Sequence, residues 1–323
     1  ELVKLHKIFS DSFRELRLAE PPAPKDSHLT VSELLPYTEV IRTLRLRHRG
    51  VVALLAEAMR KIEHSGMKGN AFQSWADSFL LSRISTEMLT SHYMAVVDSH
   101  GPHASRSKHV SWEGPLDLEG PDCIGIVDTK CNPGEICEQA AEAVKKMIAA
   151  SNMAAGDELQ INVHTHSSSA IEFSYIPKYL FFIVQELINN SAQATVEAKR
   201  TGRRASMQPI NVTVCADQKQ VGIKISDQAG GVPAGKADEI WSYLFSTSKQ
   251  PFQDYVESGS PLAGWGVGLP LGRLYARYLG GSLEIMSVPG TGVDAYLFLR
   301  RICPLTESFR ELQTSISDSV API

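Results

Sequence analysis

The chain has 323 residues, which is long enough for two domains or one large one. Hydrophobic residues make up 43% of it and charged residues 21%, a globular balance that excludes a disordered or collagen-like chain. With 32 basic and 36 acidic residues the net charge is −4, so the composition predicts no nucleic-acid partner. Wholly apolar runs such as Leu180–Val184 are far shorter than the roughly 20 residues that cross a bilayer, and no membrane partner is expected either.

The N-terminal third of the chain has a helical pattern. Apolar residues recur at three- and four-residue spacings in two long helical segments: Leu44, Val51, Val52, Leu55 and Met59, then Phe79, Ile84, Met88 and Leu89. We therefore predict an antiparallel four-helix-type bundle over residues 1–121, ending in a polar loop rich in glycine and proline. Because the chain begins at Glu1 and not at Met, we expect this bundle to lack its N-terminal part.

Strand signals appear only after the polar loop. Apolar and polar residues alternate around Ile161–Val163, Ile210–Val214, Val221–Ile225 and Tyr296–Leu299. Helical stretches at 134–150, 178–199 and 268–279 separate these strands. The pattern predicts a mixed α/β domain over residues 122–302 and a tail rich in serine over residues 303–323, and thus an α+β protein with two domains.

The first chemical signal is the polar run Gln185–Ala192 inside an apolar helix. Two asparagines and a serine are unfavourable there, because their side chains compete with the backbone for hydrogen bonds. Glu186 and Asn190 are four residues apart and share one helix face. A carboxylate and an amide oxygen so placed could orient a hydroxyl group and bind a hard cation such as Mg²⁺. A solvated polar stripe on a surface helix is an equally good interpretation of this run alone.

Two glycine-rich segments follow. In the first, Asp227 ends a strand and the pair Gly230–Gly231 permits a tight turn, so the carboxylate could accept a hydrogen bond from a ligand amine; an ordinary Asp-Gly turn is the alternative. In the second, Gly264–Pro270, three alternating glycines lead into an amphipathic helix whose first N–H groups could bind phosphate. The dinucleotide fingerprint fits this segment poorly, because no strand leads into it, and a Walker loop is absent.

Order and spacing make the three motifs specific together. Asn190 and Asp227 are 37 residues apart, as are Asp227 and Gly264. This succession resembles the N, G1 and G2 boxes of the GHKL superfamily of ATP-binding proteins. The resemblance implies that the second domain is a GHKL (Bergerat) α/β sandwich with a mixed sheet.

Further segments resemble one branch of that superfamily, the mitochondrial 2-oxoacid dehydrogenase kinases. They lie in both halves of the chain: His48–Glu57, Ser82–Leu89, Tyr243–Thr247 and Gly264–Gly281. The resemblance implies an ATP-dependent protein-serine kinase that phosphorylates and inactivates the E1α subunit of a dehydrogenase complex. Residues 54–61, 122–130 and 307–310 are slightly nearer to the branched-chain 2-oxoacid dehydrogenase kinase, with pyruvate dehydrogenase kinase as the alternative.

The resemblance also implies roles for single residues. Glu186 would be the general base for the substrate serine, Asn190 would hold Mg²⁺, and Asp227 would bind the adenine amine. Further nucleotide contacts are implied for Asn189, Gln193, Gly231, Ser246, Thr247, Gly264, Trp265, Gly266, Val267, Gly268, Leu269 and Val293. A K⁺ site would fall at Ile240, Ser242 and Phe245, with Ser242 replacing an expected aspartate.

Departures from the family pattern keep a second interpretation open. Asn189 and Gln193 stand where the family has lysine and arginine, Ala229 replaces a glycine, and Val293 replaces a threonine. These changes would suit a non-catalytic pseudokinase or scaffold on the dehydrogenase core.

Regulation, partners and location are implied in the same way. A pocket for small 2-oxoacid effectors would be lined by Arg45, His48 and Arg83, with Glu87 replacing a second arginine. The implied partners are E1α, the lipoyl domain of the E2 core and a second copy of the chain, and the implied location is the mitochondrial matrix.

Overall fold

The computed structural model describes residues 1–19, 31–64, 70–100, 122–150, 158–167, 171–237, 239–243 and 266–301. Within these ranges the helices are α1 (Leu2–Leu18), α2 (Val31–His48), α3 (Val51–His64), α4 (Asn70–His100), α5 (Pro133–Ala150), α6 (Pro177–Arg200) and α7 (Gly268–Tyr278). The strands are β1 (Cys123–Ile124), β2 (Val127–Cys131), β3 (Ile161–His166), β4 (Phe173–Tyr175), β5 (Ile210–Ala216), β6 (Gln220–Asp227), β7 (Ser282–Val288) and β8 (Gly292–Arg300).

The N-terminal region is helical, as predicted. Helices α1–α4 pack together around apolar residues that are almost completely buried, among them Leu55, Met59, Leu80 and Ile84. The periodicity from Leu44 to Met59 predicted one helix, but the structure has two, because the chain turns at residues 49–50 between α2 and α3. In the part of the chain that the structure describes, no helix has the length and apolar character needed to cross a bilayer.

The C-terminal region contains two sheets. Strands β1, β2 and β4 form an antiparallel sheet of three strands. The larger sheet has the order β3-β5-β6-β8-β7; β3 pairs with β5 in parallel and the other pairs are antiparallel, which confirms the predicted mixed sheet. Strands β1, β2, β4 and β7 were not predicted from the sequence.

Helix α6 lies in the centre of this region. It packs against α5 and α7 and on β6, and the run Tyr179–Val184 is buried. Burial alternates along β6, so that Val221, Ile223, Ile225 and Asp227 all face the helices. This alternation brings Asp227, at the end of the strand, to the side of α6.

The helical region contacts the C-terminal region through α4. Gln73 donates its side-chain N–H to the carbonyl oxygen of Trp241 at 2.8 Å, and the hydroxyl group of Tyr243 donates to Asp77. Trp241 also lies beneath Arg273 of α7, with 4.4 Å between the guanidinium carbon and the ring centroid. The boundaries predicted at residues 121 and 302 lie outside the described residues and stay predictions.

Candidate active site

Glu186 is a buried carboxyl group in the middle of α6. Only 6% of the residue is exposed, and burial raises the pKa of Glu186 to about 7. Its side chain lies against the first turn of α7, so closely that a Cβ atom at position 268 would collide with Glu186 Oε2. A side chain at position 268 would therefore displace the Glu186 carboxyl group, which lies at the N-terminus of α7.

Asp227 is a second buried carboxyl group, 5% exposed, at the end of β6. Its Oδ2 accepts a hydrogen bond from the Ser191 hydroxyl group at 3.0 Å, and its Oδ1 accepts from the backbone N–H groups of Ala229 at 3.0 Å and Val293 at 3.4 Å. Burial raises the pKa of Asp227, although these hydrogen bonds to the carboxylate act in the opposite direction. Three donors thus fix the orientation of the carboxylate.

Helix α6 joins the two carboxyl groups into one site. Ser191 follows Glu186 by five residues, which is about 7.5 Å of helix rise. The sequence motif contained Ser191, but its bond to Asp227 spans 36 positions of sequence, and no local signal identified it. The alternative of a solvated surface stripe is wrong, because Glu186, Asn189 and Ser191 are all buried.

The remaining polar residues of α6 divide between two environments. Asn190 is exposed, one turn beyond Glu186. Asn189 is only 3% exposed, and its side-chain oxygen accepts a hydrogen bond from the Gln193 amide at 3.3 Å. The two positions at which the family pattern has positive charges are therefore occupied by amides that bond to each other.

The glycines of the two loops have the conformations that their roles require. Gly230 and Gly231 both have positive φ, and a Cβ atom on Gly231 would collide with the carbonyl oxygen of Val288. Gly266 has φ +69°, Val267 is buried, and Leu269 is half-buried in the first turn of α7. Of the residues in these two segments, Gly268 at the start of α7 lies directly against Glu186.

Some predicted site residues lie outside the described part of the chain: Ser246, Thr247, Gly264, Trp265 and Phe245. Ile240 and Ser242 are described, in the segment Glu239–Tyr243, where the Ser242 N–H donates to the carbonyl oxygen of Glu239 at 2.8 Å. Among described residues, no group of three or more His, Cys, Asp or Glu side chains could hold a metal ion.

Two of the predicted effector residues form an ion pair on α4, beside the end of α2. Arg83 Nη1 donates to Glu87 Oε2 at 2.5 Å, and Arg83 Nη2 donates to the backbone oxygen of His48 at 3.3 Å. The imidazole ring of His48 lies elsewhere, against Ser12 of α1 at 3.0 Å, and burial lowers the pKa of His48 to about 4, assisted by Arg83. His48 thus contributes its carbonyl oxygen to this cluster, and not its ring as a cation.

The sequence interpretation missed Lys178, at the start of α6. Burial lowers the pKa of Lys178 to about 8, against the attraction of Glu87. Burial would raise the pKa of Glu87, but Arg83, Lys178 and Arg45 together hold it below its ordinary value. The cluster therefore combines three basic residues with one ionised carboxylate.

The fold and the two loops define the class of protein. Residues 176–301 match the model of the "Histidine kinase-, DNA gyrase B-, and HSP90-like ATPase" domain, so the C-terminal region is an ATP-binding domain of the GHKL type. Residues 1–128 match the model described as "Mitochondrial branched-chain alpha-ketoacid dehydrogenase kinase".

Curated relatives identify the family. The chain is 31% identical over 308 residues to the mitochondrial pyruvate dehydrogenase (acetyl-transferring) kinase of Arabidopsis thaliana, covering 93% of this chain and 76% of that protein. It is 30% identical over 310 residues to pyruvate dehydrogenase kinase isozyme 3 of Homo sapiens, covering 94% of this chain and 70% of that protein. It is 32% identical over 279 residues to the pyruvate dehydrogenase kinase of Schizosaccharomyces pombe, covering 84% of this chain and 60% of that protein. The chain belongs to the mitochondrial dehydrogenase kinase family, and it is a protein kinase with a GHKL ATPase domain.

The comparisons bear unequally on the two substrates that the sequence left open. The relatives above are named pyruvate dehydrogenase kinases, whereas the branched-chain name comes only with the model that matches the helical region. They therefore support the alternative, pyruvate dehydrogenase kinase, better than the branched-chain interpretation.

Proposed function

We propose that this chain uses ATP to phosphorylate a serine of the E1α subunit of a pyruvate dehydrogenase complex, and so inactivates that complex. The observation that carries the proposal is the buried Glu186 at the N-terminus of α7, in a chain whose curated relatives are named pyruvate dehydrogenase kinases. A carboxyl group with a pKa of about 7 is suited to accept a proton at neutral pH.

Each carboxyl group has its own role in this proposal. Glu186 takes the proton of the substrate serine as the serine oxygen bonds to the γ-phosphorus and the bond to the departing ADP breaks. Asp227 accepts a hydrogen bond from the adenine amine. A carboxylate can accept about four hydrogen bonds, so one position remains free beside the three donors that Asp227 already binds. The first N–H groups of α7, at Gly268–Leu269, bind the phosphates.

Mg²⁺ would be held by the side-chain oxygen of Asn190. The type of ligand atom suits the ion, because Mg²⁺ prefers oxygen ligands and the exposed amide group of Asn190 lies one helical turn from Glu186. When bound, the ion supplies neutralisation of phosphate charge. The K⁺ site fits less well, since a serine hydroxyl replaces the carboxylate expected at Ser242, and we derive no step from it.

A comparison of two substrates tests the proposal. The purified chain is incubated with MgATP and either pyruvate dehydrogenase E1 or branched-chain 2-oxoacid dehydrogenase E1, and the residual dehydrogenase activity is followed over time. We expect faster loss of the pyruvate activity and no loss with Glu186→Gln in place of the unmodified chain. The reverse preference would establish the branched-chain alternative.

The scaffold alternative is favoured by one observation, the pairing of Gln193 with Asn189 where positive charges are expected. A scaffold would bind the dehydrogenase core while neither E1 loses activity. The same experiment, combined with co-sedimentation of the chain with the core, distinguishes the two functions.

The implied partners remain part of the proposal. A homodimer is supported by the face of the large sheet that no described helix covers, where Met286, Val288 and Phe298 are exposed. Phe298→Glu should then produce monomers in light scattering, whereas Leu89→Glu, which changes an exposed apolar residue on α4, should not. Binding of the E2 lipoyl domain and a location in the mitochondrial matrix are supported by the family alone.

A further inference from the structure

Two loops close over Asp227 and are bonded to each other. One loop follows β6 and contains Gln228–Gly231; the other is the turn between β7 and β8. The Gly230 N–H donates to the carbonyl oxygen of Thr291 at 3.2 Å, and the Gly290 N–H donates to that of Gly230 at 2.8 Å. The loops therefore form one unit at the base end of the proposed nucleotide site.

Arg204 lies across both loops, in the segment between α6 and β5. Its Nε donates to the carbonyl oxygen of Gln228 at 2.9 Å, and its Nη2 donates to those of Gly290 and Thr291, both at 2.9 Å. Its own backbone N–H donates to the carbonyl oxygen of Ala198 at 3.0 Å, which fixes the residue to the last turn of α6. A planar guanidinium holds such donors in fixed directions, as a lysine ammonium cannot.

The loops that Arg204 joins contain or directly adjoin the backbone donors that orient Asp227. The N–H of Ala229 follows Gln228 directly, and the N–H of Val293 lies two residues after Thr291; both donate to Asp227 Oδ1. The packing is tight, because a Cβ atom on Gly292 would collide with the backbone oxygen of Asp227. A displacement of either loop would therefore move a hydrogen-bond donor of the carboxylate.

We propose that Arg204 is a positioning residue for recognition of the nucleotide base. It binds both loops, and through their N–H groups it holds the Asp227 carboxylate in the orientation that accepts an exocyclic amine. Arg204 does not contact the nucleotide itself. This inference rests on the proposed function, in which Asp227 binds the adenine amine.

Base selectivity is the property that distinguishes positioning from general stabilisation. A carboxylate aimed at the base favours ATP, which presents an amine, over GTP, which presents a carbonyl oxygen at the corresponding position. If Arg204 aims the carboxylate, its loss lowers ATP affinity and the preference for ATP together. If Arg204 only stabilises the fold, its loss lowers the melting temperature and leaves the ratio of the two affinities unchanged.

The experiment compares Arg204→Ala, Arg204→Lys and the control Arg200→Ala by calorimetry with ATP and GTP. Arg200 ends α6 and is exposed, with its ion pair to Glu197 on the surface, so the control removes the same charge nearby. We expect Arg204→Ala to lower the ATP affinity by about tenfold, which corresponds to loss of about one to two net hydrogen bonds. The ratio of ATP to GTP affinity should fall at the same time. Both quantities should be intermediate in Arg204→Lys and unchanged in Arg200→Ala.

Kinase assays add a second readout. Because Arg204 acts on binding, the KM for ATP should rise while kcat at saturating ATP stays within about twofold. Should Arg204→Ala fail to fold, Arg204→Lys is tested in its place. We then expect smaller decreases in ATP affinity and in the ratio of ATP to GTP affinity. An unchanged ATP-to-GTP ratio in the folded variants would overturn the proposal.

Asp227→Ala, measured beside these variants, separates the two levels of the argument. If it lowers ATP affinity and Arg204→Ala does not, the base site stands and the role of Arg204 is overturned. If neither change affects ATP affinity, the proposed base site fails and the positioning role fails with it.

Discussion

The raised pKa of Glu186 predicts a pH dependence of stability that one substitution should remove. Burial raises the pKa of this carboxyl group from its ordinary 4.5 to about 7, so the folded chain binds the proton more tightly than the unfolded chain does. The resulting stabilisation is complete below about pH 4.5 and is lost as the pH rises through about 7. Its full size is on the order of 3 kcal/mol, from about 1.4 kcal/mol for each unit of pKa.

Glu186→Gln keeps the shape of the side chain and removes its titration. At pH 5 both proteins carry a neutral group at position 186, and their free energies of unfolding should be similar. At pH 8 the unmodified chain carries a buried carboxylate, and the variant should be the more stable by about 2–3 kcal/mol. Urea denaturation at several pH values without nucleotide measures this difference.

A matched control uses Glu138→Gln, which removes an exposed carboxylate from α5. Its free energy of unfolding should follow that of the unmodified chain at every pH. If the difference between Glu186→Gln and the unmodified chain is the same at pH 5 and pH 8, the argument from burial is refuted.

The same residue should govern the reaction rate. A general base must be deprotonated, so phosphoryl transfer should rise about tenfold per pH unit below pH 7 and level off above it. Glu186→Gln should lower transfer by roughly 10²–10⁴-fold while most ATP affinity remains. A flat rate profile, or a variant as fast as the unmodified chain, would make Glu186 a structural residue.

Three further predictions concern other parts of the chain. Asp227→Ala should lower the calorimetric affinity for ATP by about 10–150-fold, because the adenine amine loses its charged acceptor. Small 2-oxoacids should inhibit weakly or not at all, because the Glu87 carboxylate pairs with Arg83 and repels an incoming anion; Glu87→Arg should restore part of the inhibition. Asp77→Asn and Tyr243→Phe should each destabilise the fold by about 1–2 kcal/mol, and the double variant should lose little more.

Each of these has a result that contradicts it. Unchanged ATP affinity in Asp227→Ala would remove the base site. Strong inhibition of the unmodified kinase at micromolar 2-oxoacid would show that Glu87 does not close the pocket. Strictly additive losses in the variants of Asp77 and Tyr243 would show that the two side chains act separately.

The elements that the sequence predicted well are those with a long and regular pattern. Examples are the apolar run in α6, the alternation along β6 and the glycines before α7. In each of these, residues that are close together in sequence are enough to indicate the local structure. Strand β4 has only three residues, too few for alternation to be visible, and β7 exposes Met286 and Val288 on the face that should be polar. The break between α2 and α3 was hidden because apolar spacing continues across it.

The site shows the same division between local and distant information. Glu186 and Asp227 could be predicted because each lies inside a recognisable motif. Ser191, Lys178 and Arg204 act through partners that are distant in sequence, and such pairings depend on the tertiary fold. No regular spacing in the sequence predicts these long-range contacts.

The central claim is that this chain transfers the γ-phosphoryl group of ATP to a serine. Its most direct test is incubation of the purified chain with radiolabelled ATP, Mg²⁺ and pyruvate dehydrogenase E1, followed by acid and base treatment of the labelled product. The account predicts label on E1α that survives acid and is released by base, as phosphoserine is, and its loss with Glu186→Gln. Tight binding of ATP without label on E1, or label that acid removes, would contradict the account.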